Sequence, residues 1–458
     1  MYSHEIQRLL GHKNIAIGDR VIVQKDGKRH EGLLMPKPSH GDERMVLIKL
    51  DSGYNVGFDI TGLVISKAHS KEPKGVKEEA KYEFGRTKKE LLEVRFDANK
   101  PKVALISTGG TIMSRVDYRT GGVYAVENPK ELLHNIPELS HIVNLEMFSP
   151  MKKMSEDLDP EDWQHIAREV AKELNAGKKG VIVTHGTDTL HYTSAALSFF
   201  LQNLGKPVVL VGAQRSSDRG SSDAGLNIIC AAHVAVSDIA EVGTCMHGST
   251  NDAYCHFIRG TKVRKMHTTR RDAFQPINEP ALAKIFADGR IDITNKNFRK
   301  RDDKKKVEVD AKIDPNVAIL KVYPGSYPNV IDYHIRNGCK GFVIEGTGMG
   351  HVPTEVSKKP WTLAIKKHSE TIPFVITSQT IYGRVNPYVY TNLRKLFIDS
   401  GAISGEDMTS ETAYVKLMWV LGKTKSMEKI REMMLTNYVG EITSRTETDA
   451  FSAEGLNE

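Results

Sequence analysis

Lys102-Val103-Ala104-Leu105-Ile106-Ser107-Thr108-Gly109-Gly110-Thr111-Ile112 decides the fold. An apolar run bounded by Lys102 and a polar Ser-Thr pair predicts a buried parallel strand that stops at two glycines. In open α/β sheets ligands bind beyond the carboxyl ends of the strands, so such a turn presents backbone N–H groups and the Thr111 hydroxyl together. Read alone, the segment fits an ordinary strand-to-loop turn better, because Gly-Gly is common punctuation. Its partners must decide.

The next stretches repeat the pattern. Pro160 to Val170 places Trp163, Ile166, Ala167 and Val170 at helical spacing with acidic residues in the first turn and Asp159 at the cap. Gly180-Val181-Ile182-Val183-Thr184 predicts a second buried strand, and Pro207-Val208-Val209-Leu210-Val211-Gly212 a third. Strand, helix and strand in this order imply right-handed crossovers and a parallel sheet, hence the α/β class.

The second strand runs into Thr184-His185-Gly186-Thr187-Asp188-Thr189, so two strands of one sheet bring threonines to one edge. A threonine hydroxyl needs a base to become a nucleophile. A carboxylate such as Asp188 is too weak a base for that, but it can hold and orient a lysine. Thr187-Asp188-Thr189 also suits a helix cap ahead of Leu190, and the two roles are compatible. The sequence pattern does not choose the lysine.

Outward from this core the texture changes. Residues 1–69 hold short alternating strands broken by Asp26-Gly27 and Ser52-Gly53, which predicts a small all-β, SH3-like barrel, a docking or RNA-contact module. Residues 70–99 are charged and mixed in sign, a linker or exposed helix. Residues 100–297 form the large α/β domain carrying the site, and Phe298 to Lys306 opens a charged linker over 298–314. Val317-Leu320, Gly341-Ile344 and Phe374-Ile376 predict the strands of a smaller α/β domain over 315–440, followed by a polar tail over 441–458.

Composition excludes several classes. The chain has 458 residues and carries 64 Lys+Arg against 57 Asp+Glu, a net +7 that is too balanced for a dedicated DNA binder. No apolar run reaches the roughly 18 residues needed to span a bilayer, and the polar start is no signal peptide, so a cytoplasmic location is expected. The four cysteines, Cys230, Cys245, Cys255 and Cys339, contain no C-x-x-C pair, and the 17 histidines no H-E-x-x-H. No metal site and no organic cofactor is expected in this chain.

The paired motifs Thr108-Gly109-Gly110-Thr111-Ile112 and Thr184 to Thr189 resemble the two signatures of bacterial-type L-asparaginases and glutaminase-asparaginases. Asp157 to Ala167, Gly212-Ala213-Gln214-Arg215 and Tyr382-Gly383-Arg384-Val385 resemble that family too, and the match covers about residues 100 to 440. The resemblance implies a two-domain parallel-sheet body with Thr111 as primary nucleophile and Thr187, Asp188 and Lys265 as a second triad. By spacing, Lys262 remains an alternative to Lys265. It also implies that Ser155 and Glu156 grip the substrate's α-carboxylate and α-amino groups beside Gly110 and Gly186. A lid tyrosine follows the first motif, and Tyr118 and Tyr124 both lie in that stretch. The implied reaction is amide hydrolysis through a threonine acyl-enzyme, with backbone N–H groups near Gly110 and Thr187 as the oxyanion donors.

A barrel ahead of an asparaginase-like body resembles the D-subunit family of archaeal glutamyl-tRNA(Gln) amidotransferases. That resemblance implies a glutaminase whose ammonia is used by a separate E subunit to convert Glu-tRNA(Gln) to Gln-tRNA(Gln). It further implies a homodimer within a heterotetramer, with ATP and Mg2+ at the partner and tRNA(Gln) bound mainly there. The alternative is a free-standing cytoplasmic L-asparaginase with an added N-terminal domain.

Overall fold

The computed structural model describes residues 2–35, 37, 42–50, 55–68, 97–110, 114–116, 123–125, 136, 138–215 and 222–446. An N-terminal unit holds helix α1 (His4–His12) and strands β1 (Arg20–Lys25), β2 (Lys28–Leu34), β3 (Met45–Leu50), β4 (Asn55–Asp59) and β5 (Val64–Lys67). The strands make one antiparallel sheet in the order β4-β3-β2-β1-β5. Alternation along β1 turns Val21 and Val23 inward, where they pack with Ile6 and Leu10 of α1, Leu34, Ile48 and Ile65. Among the described residues no pairing joins β4 to β5, so what is observed is a small antiparallel sheet covered by a helix.

The body begins with β6 (Lys102–Ser107), β7 (Asn144–Phe148), α2 (Pro160–Asn175), β8 (Val181–Thr184), α3 (Leu190–Phe200), β9 (Val208–Val211) and α4 (Ala224–Ala235). It continues through β10 (Val242–His247), β11 (Cys255–Arg259), β12 (Val263–Lys265), β13 (Phe274–Pro276), β14 (Ala283–Ile285) and β15 (Ile291–Ile293). Eight of these strands form a sheet in the order β15-β14-β11-β10-β9-β8-β6-β7. The five from β7 to β10 are parallel and the other three antiparallel. The central strands are unbroken apolar runs because helices cover both faces. Leu105, Ile106, Ile182, Val183, Val209 and Leu210 are fully buried, each contributing about 1.5–3 kcal/mol of burial. Strands β12 and β13 pair apart from the large sheet as a separate hairpin.

The second sheet contains β16 (Val317–Lys321), β17 (Gly341–Gly346), β18 (Phe374–Ser378) and β19 (Ile403–Ser404), all parallel and in sequence order. Helices α5 (Val330–Arg336) and α6 (Trp361–His368) connect its strands, and α7 (Ser410–Lys423) and α8 (Met427–Leu435) follow. Helix α7 packs on α3 of the large unit and on β16 and β17 of the small one. Val343, Val375 and Leu417 consequently share one hydrophobic core with Val103 and Ile182. The large and small units are fused through that helix.

Two charged stretches behave differently from their composition. Arg299 donates to Glu241 from its backbone N at 2.8 Å and its Nε at 3.1 Å, and Arg301 reaches the carbonyls of Ser237 and Lys179. The 298–306 stretch is thereby stitched along the large unit. At the other end, Glu441 is fully buried in an ion pair with Lys416 of α7 at 2.7 Å, so the polar tail expected from 441 starts as interior. Its counter-charge, Lys416, sits on the buried side of α7 beside Val415, Leu417 and Trp419. Of the linker expected over 70–99, only residues 97–99 are among those described.

Candidate active site

Strands β6 and β8 are parallel neighbours with Ser107 opposite Thr184, so both motifs leave the sheet side by side. The Thr108 backbone N and its hydroxyl both donate to the Thr184 carbonyl, at 3.1 and 3.0 Å. The turn beyond needs glycine. Gly109 and Gly110 have φ of +115° and +83°, and a Cβ on Gly110 would stand 2.3 Å from the Gly186 nitrogen. The two motifs touch there without side chains between them. Thr111 lies outside the described residues, as does Tyr118, and Tyr124 sits in a short strand, Val123–Ala125, whose side chains are not described.

A third segment closes on this edge. Lys153 N donates to the Thr108 carbonyl at 2.9 Å, and Lys153 Nζ pairs with Asp162 Oδ2 at 2.7 Å. Asp159 and Asp162 form the capping box of α2, which fixes the loop carrying Ser155 and Glu156. Ser155 is buried, and a Cβ on Gly186 would meet its Oγ at 2.8 Å. Glu156 is exposed. Thr189 occupies the N-cap position of α3 without a side-chain cap bond, and its hydroxyl instead donates to the Ser155 carbonyl at 2.6 Å.

Lys265 reaches the second motif from 78 positions beyond Thr187 in the chain. Its Nζ donates to Thr187 Oγ1 at 2.9 Å and to Asp188 Oδ1 at 2.7 Å. Thr187 is buried, whereas the Asp188 side chain is 65% exposed. A hydroxyl, an amine and an orienting carboxylate within hydrogen-bond reach form an arrangement that can carry a proton to and from a reacting oxygen. Lys262, the alternative by spacing, points elsewhere. Its Nζ lies 2.6 Å from Asp407 Oδ2, and both side chains are fully buried. Burial pushes its ammonium below the ordinary lysine value, against the pull of Asp407.

The hairpin bearing Lys265 is braced from the small unit. Arg264 Nε donates to Glu411 Oε1 at 2.8 Å and Thr412 Oγ1 to the Thr261 carbonyl at 3.0 Å. Asp407 also accepts from Thr443 N at 3.0 Å, so the chain beyond α8 returns to the same hub. None of Asp407, Glu411 or Thr443 was suggested by a motif: Asp407 and Glu411 meet Lys262 and Arg264 from more than a hundred residues away, and Thr443 reaches Asp407 only because the chain folds back beyond α8. Asp223 is a further residue without a sequence signal. It accepts from the backbone N of Gln214 and Arg215, and burial raises its carboxyl while those amides pull it back. It fixes the turn after β9, where a Cβ on Gly212 would meet Thr187 Cγ2 at 2.9 Å.

Two buried imidazoles flank the site. Burial, aided by the charges of Arg264 and Lys265, pushes His191 down to about 3, and burial takes His185 to about 4. Cys230, Cys245 and Cys255 are buried free thiols. Among the described residues no group of three or more His, Cys, Asp or Glu could hold a metal ion, and no helix is long and apolar enough to cross a membrane.

Three family matches cover most of the chain. Residues 102–299 match the family described as asparaginase, N-terminal, and residues 316–434 the glutaminase/asparaginase C-terminal domain. Residues 15–67 match the GatD N-terminal domain. The chain is 48% identical over 450 residues to the D subunit of the glutamyl-tRNA(Gln) amidotransferase of Pyrococcus abyssi, covering 97% of this chain and 99% of that one. It is 42% identical over 446 residues to the corresponding D subunit from Methanothermobacter thermautotrophicus, covering 97% and 98%. Among solved structures, the thermostable L-asparaginase from Thermococcus kodakarensis aligns with a TM-score of 0.66 at 32% identity, covering 75% of this chain and 99% of that one. L-asparaginase I from Vibrio cholerae aligns with a TM-score of 0.64 at 29% identity, covering 75% and 99%.

Proposed function

The chain belongs to the family of glutamyl-tRNA(Gln) amidotransferase D subunits, and from that premise we propose how its residues release ammonia from glutamine. Thr111 Oγ attacks the side-chain carboxamide carbon, and its proton passes to Lys265, which Thr187 and Asp188 hold in place. Gly110 and Thr187 backbone N–H groups receive the developing oxyanion. The C–N bond breaks, the proton leaves with ammonia, and water then cleaves the threonine ester to give glutamate. Ser155 and Glu156 hold the α-carboxylate and α-amino groups, with Gly110 and Gly186 forming the floor of the site and either Tyr118 or Tyr124 closing it. The observation carrying this reading is the bridge from Lys265 Nζ to both Thr187 and Asp188.

The chain works with partner subunits. An E subunit that binds ATP, Mg2+ and tRNA(Gln) consumes the ammonia, two copies of this chain form the homodimer at the centre of a heterotetramer, and no cofactor resides here. The N-terminal unit serves as an SH3-like docking module of the complex, and the assembly acts in the cytoplasm. The alternative, a free-standing asparaginase, draws on the likeness of the body to solved L-asparaginases. Co-expression with the partner separates the two. Glutamine hydrolysis that rises when Glu-tRNA(Gln) and ATP are added is expected; full asparagine turnover by the chain alone would overturn the amidotransferase reading.

A further inference from the structure

His185 lies at the centre of the second motif, yet it is fully buried and no step above uses it. Its two ring nitrogens have defined partners. Nδ1 stands 2.6 Å from the Gly186 carbonyl oxygen, and Nε2 stands 2.8 Å from Thr193 Oγ1 on α3. A carbonyl oxygen only accepts, so Nδ1 must carry the hydrogen and Nε2 must accept from the threonine hydroxyl. Burial keeps the ring neutral, which preserves this tautomer across the working pH range.

The consequence falls on one peptide. In a trans peptide the C=O and the following N–H point in opposite directions, and the described residues contain no cis bond. Tying the Gly186 carbonyl to the buried imidazole therefore turns the Thr187 N–H away from the ring. A peptide beside glycine can flip between two orientations at little steric cost. Nothing in the Gly-Thr sequence selects one. The neighbours also leave no slack, since Gly110 abuts the preceding peptide and Gly212 abuts Thr187.

We infer that His185, held by Thr193, is a positioning residue that locks the Gly186–Thr187 peptide so that the Thr187 amide faces the reacting carbonyl. The inference rests on the amidohydrolase reading and adds to it an element that touches neither substrate nor base. It makes the imidazole a clamp on an oxyanion donor. It also explains a histidine buried without a proton to transfer.

The test uses the full-length chain assembled with its partner subunit and follows glutamine hydrolysis. An asparagine amide nitrogen occupies the place of Nδ1, a glutamine amide that of Nε2, so the two replacements separate donation to Gly186 from bulk. His185→Gln is expected to lower kcat on the order of a hundredfold, as for a lost oxyanion donor, with KM moving less than about threefold. His185→Asn is expected to recover kcat to within about tenfold of the parent. Equal losses in both folded variants, or a loss expressed in KM alone, would overturn the clamp. Parent-like kcat in His185→Gln would do the same while leaving the amidohydrolase reading intact; that reading instead fails if Lys265→Met retains full hydrolysis. Should the variants not fold, histidine-15N NMR of the unmodified protein decides, with a protonated Nδ1 and bare Nε2 at His185 expected and the reverse tautomer overturning the inference.

Discussion

Lys262 and Lys265 are three residues apart on one hairpin, and each is bonded to an aspartate at 2.6 or 2.7 Å. In chemistry they diverge. Lys262 and Asp407 are sealed from solvent and join the two units, whereas Lys265 leans on an Asp188 that is 65% exposed. The first pair is a structural rivet between domains, because breaking a buried ion pair strands a charge in low dielectric. The second stays open to solvent on its carboxylate side, as the proposed proton transfer requires. Distance to a carboxylate therefore separates nothing here; what the carboxylate itself faces does.

The contrast can be broken in three ways. Lys265→Met should lower kcat for glutamine hydrolysis by roughly a thousandfold, while its exposed partner limits the change in unfolding free energy to about 1 kcal/mol or less. A variant with near-parental turnover would erase the distinction. Lys262→Met should do the opposite and destabilise by about 3–5 kcal/mol in denaturant titration. Adding Asp407→Asn should recover much of that loss, since the stranded carboxylate is then neutral; an additive double variant would argue against the pair. The smallest effect is in pH dependence. Burial lowers the folded-state pKa of Lys262 below its unfolded value, so between the two the unfolded chain binds more protons and stability rises with pH. Across that alkaline window Lys262→Met should flatten the slope of stability against pH relative to the parent, and an unchanged slope would remove Lys262 as its source.

The sequence made some of this plain. Unbroken runs such as Val103 to Ile106 and Val181 to Val183 announce central parallel strands, and two motifs ending such strands must meet at one sheet edge. The resemblance to asparaginases supplied Lys265, which spacing alone left tied with Lys262. Other features depend on contacts that no local pattern encodes. Thr189 looks like a cap and instead pins Ser155. Glu441 reads as surface because its counter-ion lies on α7. Arg299 and Arg301 read as solvated linker because their acceptors are Glu241 and backbone carbonyls scattered over the large unit. Thr111 and Tyr118 lie outside the described part of the chain and the side chain of Tyr124 is not described, so the nucleophile and the lid remain the contribution of the motif.

The return of the chain beyond α8 bears on how the protein is made. Glu441 neutralises the buried Lys416, and Thr443 completes the shell around Asp407 that anchors the hairpin of Lys265. Both residues emerge from the ribosome long after strands β6 and β8, which lead into the two motifs. Until synthesis has passed Thr443, Lys416 has no counter-charge and the hairpin of Lys265 lacks its last brace. The order of translation thus leaves these two contacts to form last, after every strand of both sheets has been made.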